Sequence, residues 1–397
     1  MSVTKPKVLL VGGGLTSAVL ASLLDKQKIK VSVWDKAGRS GGRMTSHRRV
    51  GGEGQVDLGA QYITATPTYQ ECHDMFYKEL VSVGMLRPLI ATTNSQLVDK
   101  VTRIEIGERL VDVGDREKKG VYISLDDKFW EEPENSEEPV NLVRSSNYVA
   151  PLGVESIVNY FWEKSGLMVD SFHPLQQLNK VGKKWVAKTG QKEEQYDCVV
   201  TTMPVPQLMG ENPAPEGVIG GNFLDIIKED QDLFNNLSSV KYNTIFCLGL
   251  FYDTALTGLG FNWKAKYFPR DPVIRYISID NIKRGDKLSP TAIGVQCQVS
   301  YSMENRHRSK GEMTDLMMDH LNSLLPNLPP PSSVLSHKWR YSQTSQPFPG
   351  EPGCALLHSS PPLIGAGDSF THSNMDGCIL SARVTKERVC QALEIEK

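Results

Sequence analysis

The chain has 397 residues, a formal net charge of −2 and 40% hydrophobic residues, so it holds more than one average domain and has ample apolar content for cores. This near balance of charge removes the electrostatic case for nucleic acid or an anionic membrane surface, and no apolar run reaches the ~20 residues of a bilayer-spanning helix. Seven scattered cysteines, odd in number and without a C-x-x-C pair, argue against a structural zinc site or a disulfide framework. They read as small buried hydrophobes in a reducing compartment, cytoplasmic by default.

The first two dozen residues have the outline of a secretory signal, with Lys5 and Lys7 ahead of an apolar run. Gly12, Gly13 and Gly14 interrupt that run at its centre, where each would weaken a signal helix by about 1 kcal/mol. The segment reads better as structure. "KVLLV" (7–11) is a buried parallel strand, the glycines form a tight turn, and "LTSAVLASLLDK" has helical spacing at Leu15, Val19, Leu20, Leu23 and Leu24. "KVSVWD" is a second strand ending in Asp35, roughly 20 residues past the glycines, as a dinucleotide fingerprint requires. Gly12 permits the turn, Gly14 lets a pyrophosphate approach the helix start at Leu15 and Thr16, and Asp35 accepts from a ribose. Ser17 stands where the strict pattern has its third glycine.

Past Asp35 and Lys36, a second glycine doublet leads into "GGRM", with Gly42, Arg43 and Met44. A simple NAD unit does not call for it; an extended FAD does, and the Arg43 fork suits a phosphate or a flavin carbonyl edge. In "VDLGAQYITATPTY", Asp57 and Gly59 mark a tight segment, and Gln61 and Tyr62 can line a flat ring. An insert over 90–147 follows, with strand-like "RLVDVGD" and "GVYISLDD". It then runs into an acidic, Pro-containing loop at about 126–139 that reads as solvated, with 130–139 dispensable for turnover. "GVESIVNYFWEKSG" is an amphipathic helix, and "LMVDSF", "KKWVAKT" and "YDCVVTTM" are strands. "KYNTIFCLGLFYD", "VIRYISIDN" and "TAIGVQCQVSYS" alternate as antiparallel strands. "MTDLMMDHLNSLLP" is a helix with methionines as core filler, "PNLPPP" a stiff linker, and "VLSHKWRYS" a return to the cofactor domain.

The C-terminal run "PPLIGAGDSFTHSNMDGCILSARV" reads as strand, turn at Asp368, and a helix opening near Asn374–Gly377. In an FAD site Asp368 meets the ribityl hydroxyls, while the helix start at Asp376, Gly377, Cys378 and Ile379 faces the flavin O2 carbonyl.

The series "VWDKAGRSGGRMT…DLGAQYIT", "YVAPLGVESI", "DCVVTTMPVPQ", "LGLFY", "IRYISIDN", "KWRYSQ" and "GDSFTHSNMDGCILSA" covers nearly the whole chain in order and resembles the renalase family. The resemblance implies an α/β plus α+β architecture: a Rossmann-like FAD-binding domain of the p-hydroxybenzoate-hydroxylase fold (1–75, 148–206, 335–397) and a substrate domain on an antiparallel sheet (76–147, 207–334). It implies non-covalent FAD on Thr16, Arg43, Gln61 and Tyr62, with Leu175 by the adenine and Met203 near the diphosphate. It further implies oxidation of 2- or 6-dihydro isomers of NAD(P)H, with O2 as the second substrate and hydrogen peroxide as product. Such a substrate expels hydride with its ring nitrogen lone pair, so no general base is required. The alternatives are an amine oxidase or monooxygenase on the same fold, for which Lys338 is the sole lysine candidate, and a non-enzymatic secreted signalling protein.

Overall fold

A computed structural model describes residues 4–66, 69–89, 122–124, 147–210, 222–256 and 263–395. The chain divides into two compact units. The first comprises Met1–Met44, Glu155–Tyr242 and Thr344–Lys397; the second comprises Thr45–Val154 and Asn243–Gln343.

The first unit is built on a five-stranded sheet. Its strands are β1 (Lys7–Val11), β2 (Lys30–Trp34), β3 (Cys198–Thr201), β4 (Cys354–Ser359) and β5 (Pro362–Ala366), in the spatial order β2-β1-β3-β5-β4. The pairs β1–β2, β1–β3 and β3–β5 are parallel, and only β4 runs the other way, against β5. β3 and β5 are buried at every position, which is why they read as continuous apolar runs rather than alternating ones. Three helices pack together on the sheet: α1 (Leu15–Leu23), α2 (Glu155–Ser165) and α3 (Met375–Ala392). A separate three-stranded antiparallel sheet (Gln177–Val181, Lys184–Lys188, Glu193–Tyr196) joins the core around Trp34, Trp185 and Phe370.

The second unit carries a six-stranded sheet in which Ile245–Phe251 lies between Ser333–Trp339 and Ala292–Cys297. Ile274–Ile279, Trp263–Tyr267 and Tyr122–Ser124 continue it, antiparallel throughout. The helix Lys310–Leu324 buries Met313, Met317 and Leu321 in this unit's core, the filler role expected of its methionines. Ser309 caps it in a capping box with Glu312.

Several sequence expectations differ from this arrangement. The unit borders fall elsewhere than the expected domain borders: 45–75, 148–154 and 335–343 lie in the second unit and 207–242 in the first. Helices Phe223–Ile227 and Gln231–Ser238 explain part of this, since Phe223, Ile227, Leu233 and Leu237 bury into the core beneath Trp34 and Phe370. "VLSHKWRYS" does not return to the dinucleotide unit but pairs residue by residue with Ile245–Phe251. "LMVDSF" is not a strand; Asp170 makes one isolated bridge to Trp34. The runs "VIRYISIDN" and "TAIGVQCQVSYS" start as strands and end as the helices Asp280–Lys283 and Val299–Glu304. "GVYISLDD" supplies the strand Tyr122–Ser124, whereas "RLVDVGD" and the acidic loop at 126–139 lie outside the described residues.

Candidate active site

In the first unit the site residues follow from one rule of parallel sheets: ligands bind at the carboxyl ends of the strands. β2 ends at Asp35, β1 at Gly12, β3 at Thr202 and Met203, and β5 at Gly367 and Asp368. Residues hundreds of positions apart therefore share one edge. The turn after β1 demands glycine. Gly12 has φ +114°, and a Cβ there would lie 2.5 Å from Thr202 Oγ1. Gly14 begins α1 with no side-chain cap and no acid in the first turn, and a Cβ on it would meet nothing within 4 Å. That combination leaves room and unsatisfied helix-start polarity for an anion, and fits a pyrophosphate.

The second glycine turn lies against the first. Gly41 N–H donates to Gly13 carbonyl at 3.0 Å, and a Cβ on Gly42 would come within 3.4 Å of Gly14 Cα. Asp35 accepts from Gly13 N–H and, at 2.6 Å, from Ala37 N–H, which fixes its carboxylate beside the turn. Burial raises its pKa against those backbone hydrogen bonds. Lys36 is exposed, Met44 buried, and Thr16 buried on α1. Ser17 is fully buried and shares a hydrogen bond of 2.9 Å with Thr202 Oγ1, so where the strict pattern has its third glycine a polar contact joins α1 to the residue just past β3. Leu175 sits in the core with Trp34, and Met203 packs on that core from the end of β3.

Arg43 and Asp368 were each expected on the cofactor. The structure joins them in a bidentate pair, Nη1 to Oδ2 at 2.8 Å and Nη2 to Oδ1 at 2.5 Å, with Ser373 Oγ donating to Asp368 at 2.8 Å. Burial opposes the guanidinium charge, but the Asp368 carboxylate outweighs it and Arg43 stays firmly protonated. We expect Arg43→Ala to release FAD more readily on dialysis and to lower stability by about 2 kcal/mol, since the buried Asp368 loses its charged partner. Flavin retention equal to wild type would mean that the pair serves the fold alone. The α3 start is built as the sequence indicates: Asn374 caps it, Oδ1 accepting from Gly377 N–H at 2.8 Å. Gly377 is compulsory, because a Cβ would fall 1.9 Å from His372 carbonyl oxygen. Asp376 and Ile379 are buried, and burial with the Asp368 charge pushes the Cys378 thiol up to about 12, so it is not a thiolate nucleophile.

Gln61 and Tyr62 belong to the second unit, in a segment held from several sides. Trp339 Nε1 donates to Leu58 carbonyl at 2.9 Å and Gln296 Nε2 to Gly59 carbonyl at 3.0 Å. Gln61 Nε2 donates to Asp57 carbonyl, and its Oε1 accepts from Ser278 Oγ at 3.2 Å and Lys283 Nζ at 3.3 Å. Tyr62 shares a hydroxyl–hydroxyl hydrogen bond of 3.0 Å with Tyr267, whose ring lies 4.7 Å from that of Tyr276. Burial, then Tyr267, drives the Tyr62 pKa well above its ordinary value.

Beneath this segment lies an ionic network that the sequence did not disclose. Lys283 and Asp280 are fully buried and pair at 2.9 Å; Arg284 reaches Asp280 at 3.2 Å and Asp57 at 3.6 Å. Asp57 N–H donates to Asp280 at 2.6 Å. The available signal was an Asp and a Lys at i, i+3 directly after an apolar strand. Lys338, the lysine candidate, is elsewhere: its Nζ donates to Arg306 and Arg308 carbonyls at 2.5 and 3.1 Å and lies over the Phe246 ring. It is a structural lysine.

A strand-edge dinucleotide cradle, a doubled glycine turn and a capped C-terminal helix fit an FAD-dependent oxidoreductase with a Rossmann-like unit and the flavin amine oxidase fold. Family comparison agrees. Residues 10–80 match the NAD(P)-binding Rossmann-like domain, and residues 134–390 match the flavin containing amine oxidoreductases. The chain is 33% identical to mouse (Mus musculus) renalase over 383 residues, 95% of this chain and 96% of that protein. It therefore belongs to the renalase family, and FAD is its cofactor. Solved structures share the fold at low identity. A putative protoporphyrinogen oxidase of Exiguobacterium sp. 255-15 gives a TM-score of 0.65 at 13% identity over 99% of this chain and 100% of that one. A fatty acid isomerase of P. acnes producing CLA gives 0.60 at 12% over 97% and 99%, and a Methanosarcina mazei oxidoreductase 0.59 at 13% over 96% and 100%. Among the described residues no helix is long and apolar enough to cross a membrane.

Proposed function

We propose that this protein oxidises dihydropyridine isomers of NAD(P)H that carry the hydride at ring position 2 or 6, with Gln61 and Tyr62 as the residues facing the flavin. The net reaction is the isomer plus O2 plus a proton, giving NAD(P)+ and hydrogen peroxide. Bound FAD supplies the two-electron acceptor and the route to O2. The observation that carries the reading is the chemistry of the two side chains. Gln61 does not titrate, and Tyr62 has its phenol pKa raised well above the ordinary value, so neither serves as a base at neutral pH. A donor whose ring nitrogen expels hydride and whose product is aromatic asks only for alignment and exclusion of water. Similarity to mouse renalase supports the same choice.

Anaerobic mixing tests it. A 2- or 6-dihydro isomer should bleach the flavin absorbance stoichiometrically, and admission of O2 should restore the colour with one peroxide per NAD(P)+ formed. The match to flavin containing amine oxidoreductases favours an amine as the competing substrate. Fast bleaching by an amine, with none by the dihydropyridines, would replace the first reading with the second.

A further inference from the structure

We infer that Lys283 is a positioning residue for the Gln61 amide, a role that rests on the reading of Gln61 as a flavin-facing side chain. An amide can turn its oxygen or its nitrogen to either side, and a flipped amide would break every contact that holds this side chain in its place. Here the choice is fixed by donors. Lys283 Nζ has three N–H groups and no acceptor capacity, so the Gln61 atom 3.3 Å from it must be Oε1. Ser278 Oγ, 3.2 Å from the same atom, also sits 2.5 Å from Asp280 Oδ1. The opposite edge, Nε2, is thereby turned to the carbonyls of Asp57 and Gly59.

The lysine is itself held. Its side chain is 0% exposed, and Asp280 one turn earlier on the helix Asp280–Lys283 grips its Nζ at 2.9 Å. Asp280 Oδ2 in turn accepts from Asp57 N–H. Burial favours protonating Asp280, but Lys283 and then Arg284 outweigh it and keep the carboxylate ionised. One short helix thus sets both ends of the 57–61 segment, the backbone at Asp57 and the amide at Gln61. Beyond its pairing with Asp280 the buried ammonium has N–H groups left to satisfy, and the Gln61 amide oxygen accepts from it at 3.3 Å, so the two side chains are held by each other.

A double-mutant cycle in holoenzyme decides the matter, read by the visible spectrum of bound FAD and by the rate of anaerobic flavin reduction. Gln61→Ala should shift the flavin bands and slow reduction about 10-fold or more, because small misplacements at a reacting centre cost rate steeply. Lys283→Met should produce a shift and slowing of the same kind, and should add nothing in the Gln61→Ala background. Ser278→Ala, which removes the hydroxyl shared between Gln61 Oε1 and Asp280 Oδ1 but leaves every charged group in place, should give a smaller change in the same direction; it carries the test if Lys283→Met fails to fold. Independent, additive effects would overturn the inference and leave Lys283 as part of the fold. An unchanged spectrum in Gln61→Ala would overturn it as well. The spectrum requires no substrate, so failure of the dihydropyridines to reduce wild-type enzyme would strike the proposed reaction and not this positioning role.

Discussion

Asp280→Ala is expected to unfold the second unit or to lower its stability by about 3–5 kcal/mol, because removing one member of a buried ion pair strands the other without solvent or partner. Four donors lose this acceptor at once: Lys283 Nζ, Arg284 Nη1, Asp57 N–H and Ser278 Oγ. Thermal and urea denaturation of holoenzyme should both report the loss, and a change under 1 kcal/mol would show that water enters this cluster freely. The pH dependence follows from the direction of the Asp280 shift. Its folded pKa is depressed below 3.8, so the stabilisation is complete above that ordinary value and is lost as pH falls through the folded pKa. Asp57 works in the opposite sense. Burial and the Asp280 charge raise its pKa, so it protonates first on acidification and relieves like-charge repulsion. Wild type should hold its stability down to about pH 4 and lose it below, while Asp280→Ala should lose less over the same interval, since other carboxylates with depressed pKa, such as Asp271 and Glu194, remain.

Gly12→Ala should give a colourless protein. The new methyl would meet Thr202 Oγ1 at 2.5 Å in a backbone with φ +114°, a region L side chains rarely adopt. Strain of that kind costs on the order of 1–3 kcal/mol, and it falls on the turn that must approach the pyrophosphate. Flavin absorbance per mole of purified protein measures the effect, with full occupancy in wild type and at most a few per cent in the variant. Adding Thr202→Ala removes the clash but not the positive φ, so flavin content should recover only in part. Stoichiometric FAD in Gly12→Ala would place the dinucleotide away from the end of β1.

The dinucleotide half was legible because its grammar is local. A strand, a turn, a helix and an acid occupy 7–35, and each has its own residue preference: β-branched residues in Lys7–Val11, compulsory glycine at Gly12, small residues on α1. The helix start at Asn374–Gly377 was legible for the same reason, since the cap residue and the N–H that donates to it lie three positions apart. Asp280 and Lys283 were not, because the run "IRYISIDNIKRGD" switches from strand to helix without a glycine or proline to mark it. Their meaning depends on Asp57 and Gln61, more than 200 positions earlier. The strand Ser333–Trp339 was assigned to the wrong unit for a related reason. Its polar His337 and Lys338 look like a solvated strand end, and only pairing with Ile245–Phe251 shows an edge strand whose lysine caps two carbonyls. Arg43 and Asp368 were both singled out for the cofactor, yet nothing in either local sequence shows that they bind each other across 325 positions.

The central claim is hydride removal without a protein base, and the most direct measurement is the rate of anaerobic flavin reduction by a 2- or 6-dihydro isomer from about pH 6 to pH 9, which brackets the ordinary titration range of histidine. Tyr62 and Tyr267, both with raised pKa values, stay protonated across that range. The rate should be nearly flat. A slope near one log unit per pH unit would contradict the claim and require a titrating catalyst in the site.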